Sequence, residues 1–152
     1  MNPHLQHKHL LVRAEVNSPP LNNFTQERMD AEIRSLIKHI DMEILSGPHS
    51  AYCFDTSNVG WSSTAIITTS SITFHSWTET GVIQLDVYSC KDFKIKDVFM
   101  WLAQFDIEKL DYKYLDREHG FKTLDDNKFS WWDNDYYNKI EKLKQRDPFI
   151  YK

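Results

Sequence analysis

The fold is decided by the stretch GWSSTAIITTSSITFHSWTETGVIQLDVYSC, which spans residues 60–90. β-Branched and aromatic side chains, which favour strands, are concentrated in three of its segments, residues 63–69, 72–77 and 82–89. The second and third segments are separated by Thr-Glu-Thr-Gly, a sequence typical of a hairpin connection. The stretch therefore predicts consecutive strands of a mainly antiparallel sheet.

A strand and a helix are predicted before this stretch. Residues 10–16 alternate between apolar and polar side chains, as a half-buried strand does. Asn23 begins a capping-box-like pattern, and apolar residues then recur at helical spacing over residues 29–44. Gly47-Pro48 follows and is expected to stop the helix.

Further elements are predicted on both sides of the central strands. Residues 51–54 are a short segment that favours a strand, and residues 95–105 favour a second amphipathic helix. Residues 110–115 favour a closing strand. We interpret the main order as β-α-β-β-β-α-β. This order predicts an α+β protein, a two-layer α/β sandwich with the helices on one face of a mainly antiparallel sheet.

The chain is expected to hold one domain and a tail. Its length of 152 residues is typical of a single domain. The domain is predicted over residues 1–116, because the hydrophobic pattern weakens from Arg117 onward. We predict that residues 117–152 form a partly helical tail, with a helix over residues 133–145. Trp131 and Trp132 would pack this tail on the domain or at a dimer contact.

The composition excludes several classes of partner. The formal charge is −4, from 18 basic and 22 acidic residues, and no basic stripe predicts binding to nucleic acid. No apolar run is long enough to cross a membrane. Cys53 and Cys90 are too few for a disulfide framework, and the three His residues before Leu10 are interpreted as solvated rather than as metal ligands. We therefore expect a cytoplasmic protein without a bound metal.

The central stretch also holds the residue types of covalent catalysis. Serine, histidine and cysteine recur on its predicted strands and in their connections. These are the usual nucleophile, proton carrier and weak acid of such reactions. The same residues are also found in ordinary strands and cores, so their types alone leave both interpretations open.

The spacing of these residues resembles that of the small prokaryotic S-adenosylmethionine decarboxylases. Their signature is a serine, then H-[ST]-W-x-E five residues later, then a glycine and D-x-x-x-C. The matching positions here are Ser70, His75-Ser76-Trp77-Thr78-Glu79, Gly81 and Asp86-Val87-Tyr88-Ser89-Cys90. Two further family motifs, G-x-S and [RK]-H-[LI], match Gly60-Trp61-Ser62 and Lys8-His9-Leu10. The resemblance covers residues 8–114 in element order.

The resemblance implies that the chain is a zymogen that cleaves itself. Ser70 would attack the carbonyl of Thr69 and convert the peptide bond to an ester. Elimination and hydrolysis would leave a pyruvoyl group, the cofactor, at position 70. Ser62 would assist by hydrogen bonding and His75 by moving protons, a task that suits an imidazole near neutral pH.

The resemblance also implies the substrate and its contacts. The pyruvoyl group would form a Schiff base with S-adenosylmethionine and accept the electrons released with CO2. Cys90 would return a proton to the substrate carbon after CO2 leaves. The enzyme would then be a carboxy-lyase whose product is used to make spermidine and other polyamines. Glu79 would bind the ribose hydroxyls, Trp77 is a candidate face for the adenine or the sulfonium, and Phe54 is a candidate for stacking on the adenine. The family further implies a homodimer.

Two departures from the family pattern leave alternatives open. Ser70 lies between Thr69 and Ser71, where the family usually has Glu and His. The family's adenine-stacking aromatic has no aligned match, and Phe54 or Tyr52 would serve only with a gap. One alternative is a pyruvoyl-dependent decarboxylase of another amino acid, ornithine or arginine. Another is an unprocessed homologue that binds or degrades S-adenosylmethionine.

Overall fold

A computed structural model describes residues 6–20 and 24–130, which form one antiparallel sheet with helices on one of its faces. The strands and helices, in chain order, are β1 (Lys8–Val16), α1 (Gln26–His39), β2 (Ile44–Cys53), β3 (Gly60–Ile67), β4 (Ser70–Trp77), β5 (Val82–Ser89), α2 (Ile95–Leu102), β6 (Ile107–Asp116) and β7 (Lys122–Ser130). The sheet has seven strands in the order β2-β3-β4-β5-β1-β6-β7. The predicted α+β sandwich is confirmed.

The hydrophobic core lies between the two helices and one face of the sheet. Successive side chains of a strand point to opposite faces, so alternate residues of the central strands are buried under the helices. The largest fully buried side chains are Phe74, Leu10, Met29, Ile33, Leu36, Ile37, Ile67, Ile72, Ile83, Leu102 and Ile107. Each such side chain contributes about 1.5–3 kcal/mol to stability.

The other face of the sheet is not covered by a helix in the described part of the chain. We call it the open face. It carries polar and charged side chains, but Leu11 is 39% exposed there and Ile66 is 53% exposed. Within the described residues, no helix is long and apolar enough to cross a membrane.

The boundaries of α1 differ from those predicted. The N-cap is Thr25, whose hydroxyl accepts a hydrogen bond from the Arg28 N–H at 3.0 Å, whereas Asn23 lies outside the described residues. The helix ends at His39, and Ile44 begins β2 instead of closing the helix. Asp41 breaks the helix because it adopts a positive φ of 57°. Gly47-Pro48 therefore lies within β2, an edge strand, where proline is tolerated.

Two strands differ from the predicted order. That order has three strands between the helices and the structure has four, because the strand-favouring segment at residues 51–54 lies at the end of a longer strand, β2. Strand β7 lies in the segment predicted as a tail and pairs with β6. Its sequence is largely polar and it pairs only at the sheet edge, so no alternating apolar pattern marked it. The predicted helix over residues 133–145, Trp131 and Trp132 lie outside the described residues.

The motif glycine Gly60 allows β3 and β4 to pair closely. A Cβ atom at this position would lie 1.8 Å from the carbonyl oxygen of Ser76 on the neighbouring strand. Because that oxygen belongs to the backbone, the clash is relieved only if the strands move apart.

We predict that Gly60→Ala lowers the free energy of unfolding by about 3 kcal/mol, as overpacking in a rigid environment does. Gly120→Ala is the control, because a Cβ there meets nothing within 4 Å and its φ of +85° costs about 1 kcal/mol. Chemical unfolding of both variants measures the difference. Equal losses would show that the close approach of β3 and β4 does not require a glycine.

Candidate active site

Ser70 and Cys90 meet at the turn between β3 and β4. The Ser70 hydroxyl donates a hydrogen bond to the Thr68 carbonyl at 3.1 Å and accepts one from the backbone N–H of Cys90 at 2.9 Å. The Cys90 sulfur lies 3.7 Å from this hydroxyl and 3.6 Å from the Thr68 carbonyl oxygen. Ser70 and Cys90 are both buried. We call Thr68, Ser70 and Cys90 the turn cluster.

The pairing of β4 with its neighbours creates the turn cluster. Ser70 is the first residue of β4 and pairs with Ile67 across a two-residue turn. Ser71 pairs with Tyr88 of β5, so the end of β5 places Cys90 beside Ser70. The structure therefore makes neighbours of a serine and a cysteine that are 20 residues apart in the motif.

Ser62 and His75 form a second group on the open face. They are paired residues of β3 and β4, and the Ser62 hydroxyl lies 2.7 Å from Nδ1 of His75. The His75 ring lies 6.0 Å from the ring of Trp77, centroid to centroid. We call Ser62, His75 and Trp77 the open-face cluster. It joins a hydroxyl, an imidazole and an aromatic face in a partly exposed position.

The two clusters do not meet within one chain. Ser70 and His75 are five residues apart on the same strand, which corresponds to about 16 Å at the rise of a β-strand. An odd offset also directs their side chains to opposite faces, and Ser70 accordingly faces the helices while His75 faces away. In a single chain, His75 is therefore too far from Ser70 to exchange a proton with it.

The remaining predicted binding residues lie at the same end of the sheet as the open-face cluster. Glu79 is exposed in the β4–β5 turn. Phe54 follows β2 directly, and Cys53, Gly60 and Trp77 are in register across β2, β3 and β4. Phe54 is 81% exposed, and its ring contacts Tyr52 edge to face at 4.7 Å. The structure places these residues near one another without bringing Phe54 and Trp77 into a ring contact.

A charged network on the open face was not predicted. Arg117 donates a hydrogen bond to Nδ1 of His9 at 3.1 Å, so the ring carries its proton on Nε2. This Nε2 lies 3.2 Å from Asp86. The Arg117 guanidinium also lies 4.5 Å from the centre of the Tyr88 ring, as in a cation–π contact. His9 and Asp86 belong to the motifs quoted above, and only the pairing of β1 with β5 reveals that they interact.

An open cavity of about 730 Å³ extends from His75 across the sheet. This volume is in the range of small-molecule sites. Its lining includes the charged side chains of Arg13, Asp86, Asp111, Lys113 and Asp126, of which only Asp86 belongs to a motif quoted above. The alternation of strands β1 and β6 would have placed Arg13, Asp111 and Lys113 on one face. Within residues 6–20 and 24–130, no three His, Cys, Asp or Glu side chains are grouped as a metal site requires.

The chain matches a known protein family. A family model described as S-adenosylmethionine decarboxylase matches residues 13–118, which include the turn cluster, the open-face cluster and Glu79. No curated protein matches the chain.

Ser62 and Ser63 are neighbours in β3, but their side chains have different surroundings. Ser62 is exposed beside His75, whereas Ser63 is buried and its hydroxyl lies 2.8 Å from that of Ser50. We predict that Ser62→Ala changes the free energy of unfolding by less than about 0.5 kcal/mol. Ser63→Ala should lower it by about 1–2 kcal/mol, because a buried hydrogen-bond partner is lost. Chemical unfolding measures both, and a larger loss for Ser62→Ala would give that serine a structural role.

Proposed function

The chain belongs to the S-adenosylmethionine decarboxylase family, and we propose that it decarboxylates S-adenosylmethionine after cleaving itself between Thr69 and Ser70. The observation that carries the proposal is the turn cluster, in which a buried serine hydroxyl is held by the Thr68 carbonyl and the Cys90 N–H. The product would serve spermidine and other polyamine synthesis in the cytoplasm.

The first step is an acyl shift at Ser70. Its hydroxyl oxygen bonds to the Thr69 carbonyl carbon, the bond from that carbon to the Ser70 nitrogen breaks, and the nitrogen takes the hydroxyl proton. Before the reaction, the hydrogen bond from the Ser70 hydroxyl to the Thr68 carbonyl, 3.1 Å long, holds the nucleophile in place. The Cys90 N–H is a fixed donor beside the reacting oxygen, and such preorganised donors stabilise developing negative charge.

The second step needs a base for the Cα proton of Ser70. Its removal expels the Thr69 carboxylate and leaves a dehydroalanine. Water then hydrolyses the imine tautomer of the dehydroalanine, which gives the pyruvoyl group and releases the Ser70 nitrogen as ammonia. His75, hydrogen-bonded to Ser62, is suited to take the proton. Because His75 of the same chain is about 16 Å away along β4, a second copy of the chain must supply it.

The open face supports this pairing of two chains. Leu11 and Ile66 leave apolar surface exposed there, and its burial between two sheets would stabilise a symmetric homodimer. The proposal requires that, in such a dimer, the end of β4 that carries the turn cluster of one chain reaches the open-face cluster of its partner. Each complete site would then contain residues from both chains.

The turn cluster also fits the cofactor that the family implies. A carbonyl at position 70 would be buried, with the Cys90 N–H as a donor and the Cys90 thiol close by. A pyruvoyl group supplies an electron-withdrawing carbonyl that accepts the electron pair released with CO2. Cys90 would donate a proton to the substrate carbon, as a thiol can near neutral pH. Glu79 would accept hydrogen bonds from the ribose hydroxyls, and Trp77 and Phe54 would contact the adenine or the sulfonium.

We predict that the purified chain consists of two fragments, residues 1–69 and 70–152, of which the second resists Edman degradation. Ser70→Ala should stay intact. Release of CO2 from carboxyl-labelled S-adenosylmethionine, with ornithine and arginine as parallel substrates, identifies the amino acid used. A chain that stays at full length after long incubation would favour the unprocessed alternative, and CO2 from ornithine or arginine alone would favour the other decarboxylase.

We further predict that cleavage is rescued between chains. His75→Ala should cleave at least a hundredfold more slowly than the wild type when expressed alone, because general-base assistance is lost. Co-expressed with a tagged Ser70→Ala chain, the His75→Ala chain should be cleaved, because its partner supplies His75. Gels of the separately tagged chains measure this. Cleavage that depends on His75 but shows no rescue, or a monomer by light scattering, would contradict the shared site.

A further inference from the structure

The turn that precedes Ser70 contains a residue in an unfavourable backbone conformation. Thr69 has a φ of 51°, in the left-handed region. A Cβ branch makes this region costly, so it is usually occupied by Gly, Asn or Asp. The other non-glycine residues with positive φ in the described part of the chain are Asp41, Asp106 and Phe121, so Thr69 alone among them is β-branched.

The position of Thr69 within the turn is also one that threonine rarely occupies. Thr68 and Thr69 form the two-residue loop between the paired residues Ile67 and Ser70. Turns with a positive φ at the second loop residue normally take Gly or Asn there. The sequence places a threonine at the position where a glycine would remove the strain at no steric cost.

Hydrogen bonds hold Thr69 in this conformation from both sides. The backbone N–H of Thr68 donates to the Glu43 carbonyl at 3.1 Å. The Thr68 carbonyl accepts the Ser70 hydroxyl, and that hydroxyl accepts the Cys90 N–H. Strained conformations persist where the surroundings fix the backbone in this way, and they are concentrated at functional sites.

We propose that Thr69 is a positioning residue whose strained backbone accelerates the self-cleavage, an inference that rests on the proposed function. In the acyl shift, the Ser70 oxygen bonds to the Thr69 carbonyl carbon, the carbon–nitrogen bond breaks and the hydroxyl proton moves to the nitrogen, so no other reactant is needed. The link between the Thr69 carbon and the Ser70 Cα then contains two atoms, Oγ and Cβ, in place of the nitrogen alone. The longer link lets Thr69 leave the left-handed region, so the step releases the strain.

The test compares three substitutions by gel-based cleavage rates. Thr69→Gly removes the strain and should slow cleavage about tenfold. Thr69→Val keeps the Cβ branch and loses the hydroxyl, so its rate should stay well above that of Thr69→Gly. Thr80→Gly, an exposed residue of the β4–β5 turn, makes the same chemical change elsewhere and should cleave as the wild type does.

Melting temperatures of the uncleaved precursors provide a second readout. In a Ser70→Ala background, Thr69→Gly should melt about 2–4 °C higher than Thr80→Gly, because only the first substitution relieves strain. A Thr69→Gly chain that is cleaved more slowly and melts at a higher temperature indicates relief of strain. A general structural defect would instead lower both the cleavage rate and the melting temperature.

Three results would overturn the inference. These are wild-type or faster cleavage in Thr69→Gly, equally slow cleavage in Thr69→Val, and no difference in melting temperature from the Thr80→Gly control. If the wild-type chain stays intact, the proposed function is overturned together with the role of strain in cleavage. The melting temperatures then show separately whether the strain exists.

Discussion

The register in which β3 pairs with β4 is the constraint on which both clusters depend. It places Ser62 opposite His75 and joins Ile67 to Ser70 through a loop of only two residues. A shift of one residue would turn every side chain of β4 to the other face, because side chains alternate with a period of two. The buried row that contains Phe74 prevents such a shift, since exposure of that row would cost much of the hydrophobic stabilisation.

The two faces of the sheet carry different groups of residues. The face under the helices carries the core and, at the end of β4, the buried turn cluster. The open face carries His75, the network of Arg117, His9 and Asp86, and the charged cavity. The buried groups of the turn cluster and the exposed groups of the open face are therefore separated by the thickness of one sheet. A single chain cannot bring them together by a side-chain rotation, which is the physical reason that the proposed site takes residues from two chains.

The turn before Ser70 also shows how a local backbone preference is broken at the proposed cleavage site. Other positions follow the usual preferences: Thr25 caps α1, Gly81 occupies a left-handed position in the β4–β5 turn and Gly60 allows close pairing. Thr69 departs from them at the peptide bond proposed to break. In a chain whose local preferences mostly agree with its fold, the exceptions are expected at functional positions.

The sequence by itself predicted both helices and most of the strands, because these depend on side-chain patterns within single segments. Hairpin partners are near in the chain, so the pattern over residues 60–90 placed its serines, His75 and Cys90 on consecutive strands and their connections. The register that pairs Ser62 with His75 and brings Cys90 beside Ser70 came from the structure. The motif match alone suggested one continuous site. Only the observation that β4 begins at Ser70, two residues earlier than predicted, puts Ser70 and His75 on opposite faces.

The tertiary structure decided what depends on distant partners. The insertion of β1 between β5 and β6 joins His9 to Asp86, 77 residues apart, and to Arg117, 108 residues away. The edge strand β7 pairs through its backbone and needs no apolar pattern, so side-chain periodicity could not reveal it. Periodicity records which side chains are buried, whereas the order of strands follows from how the whole sheet packs against its helices.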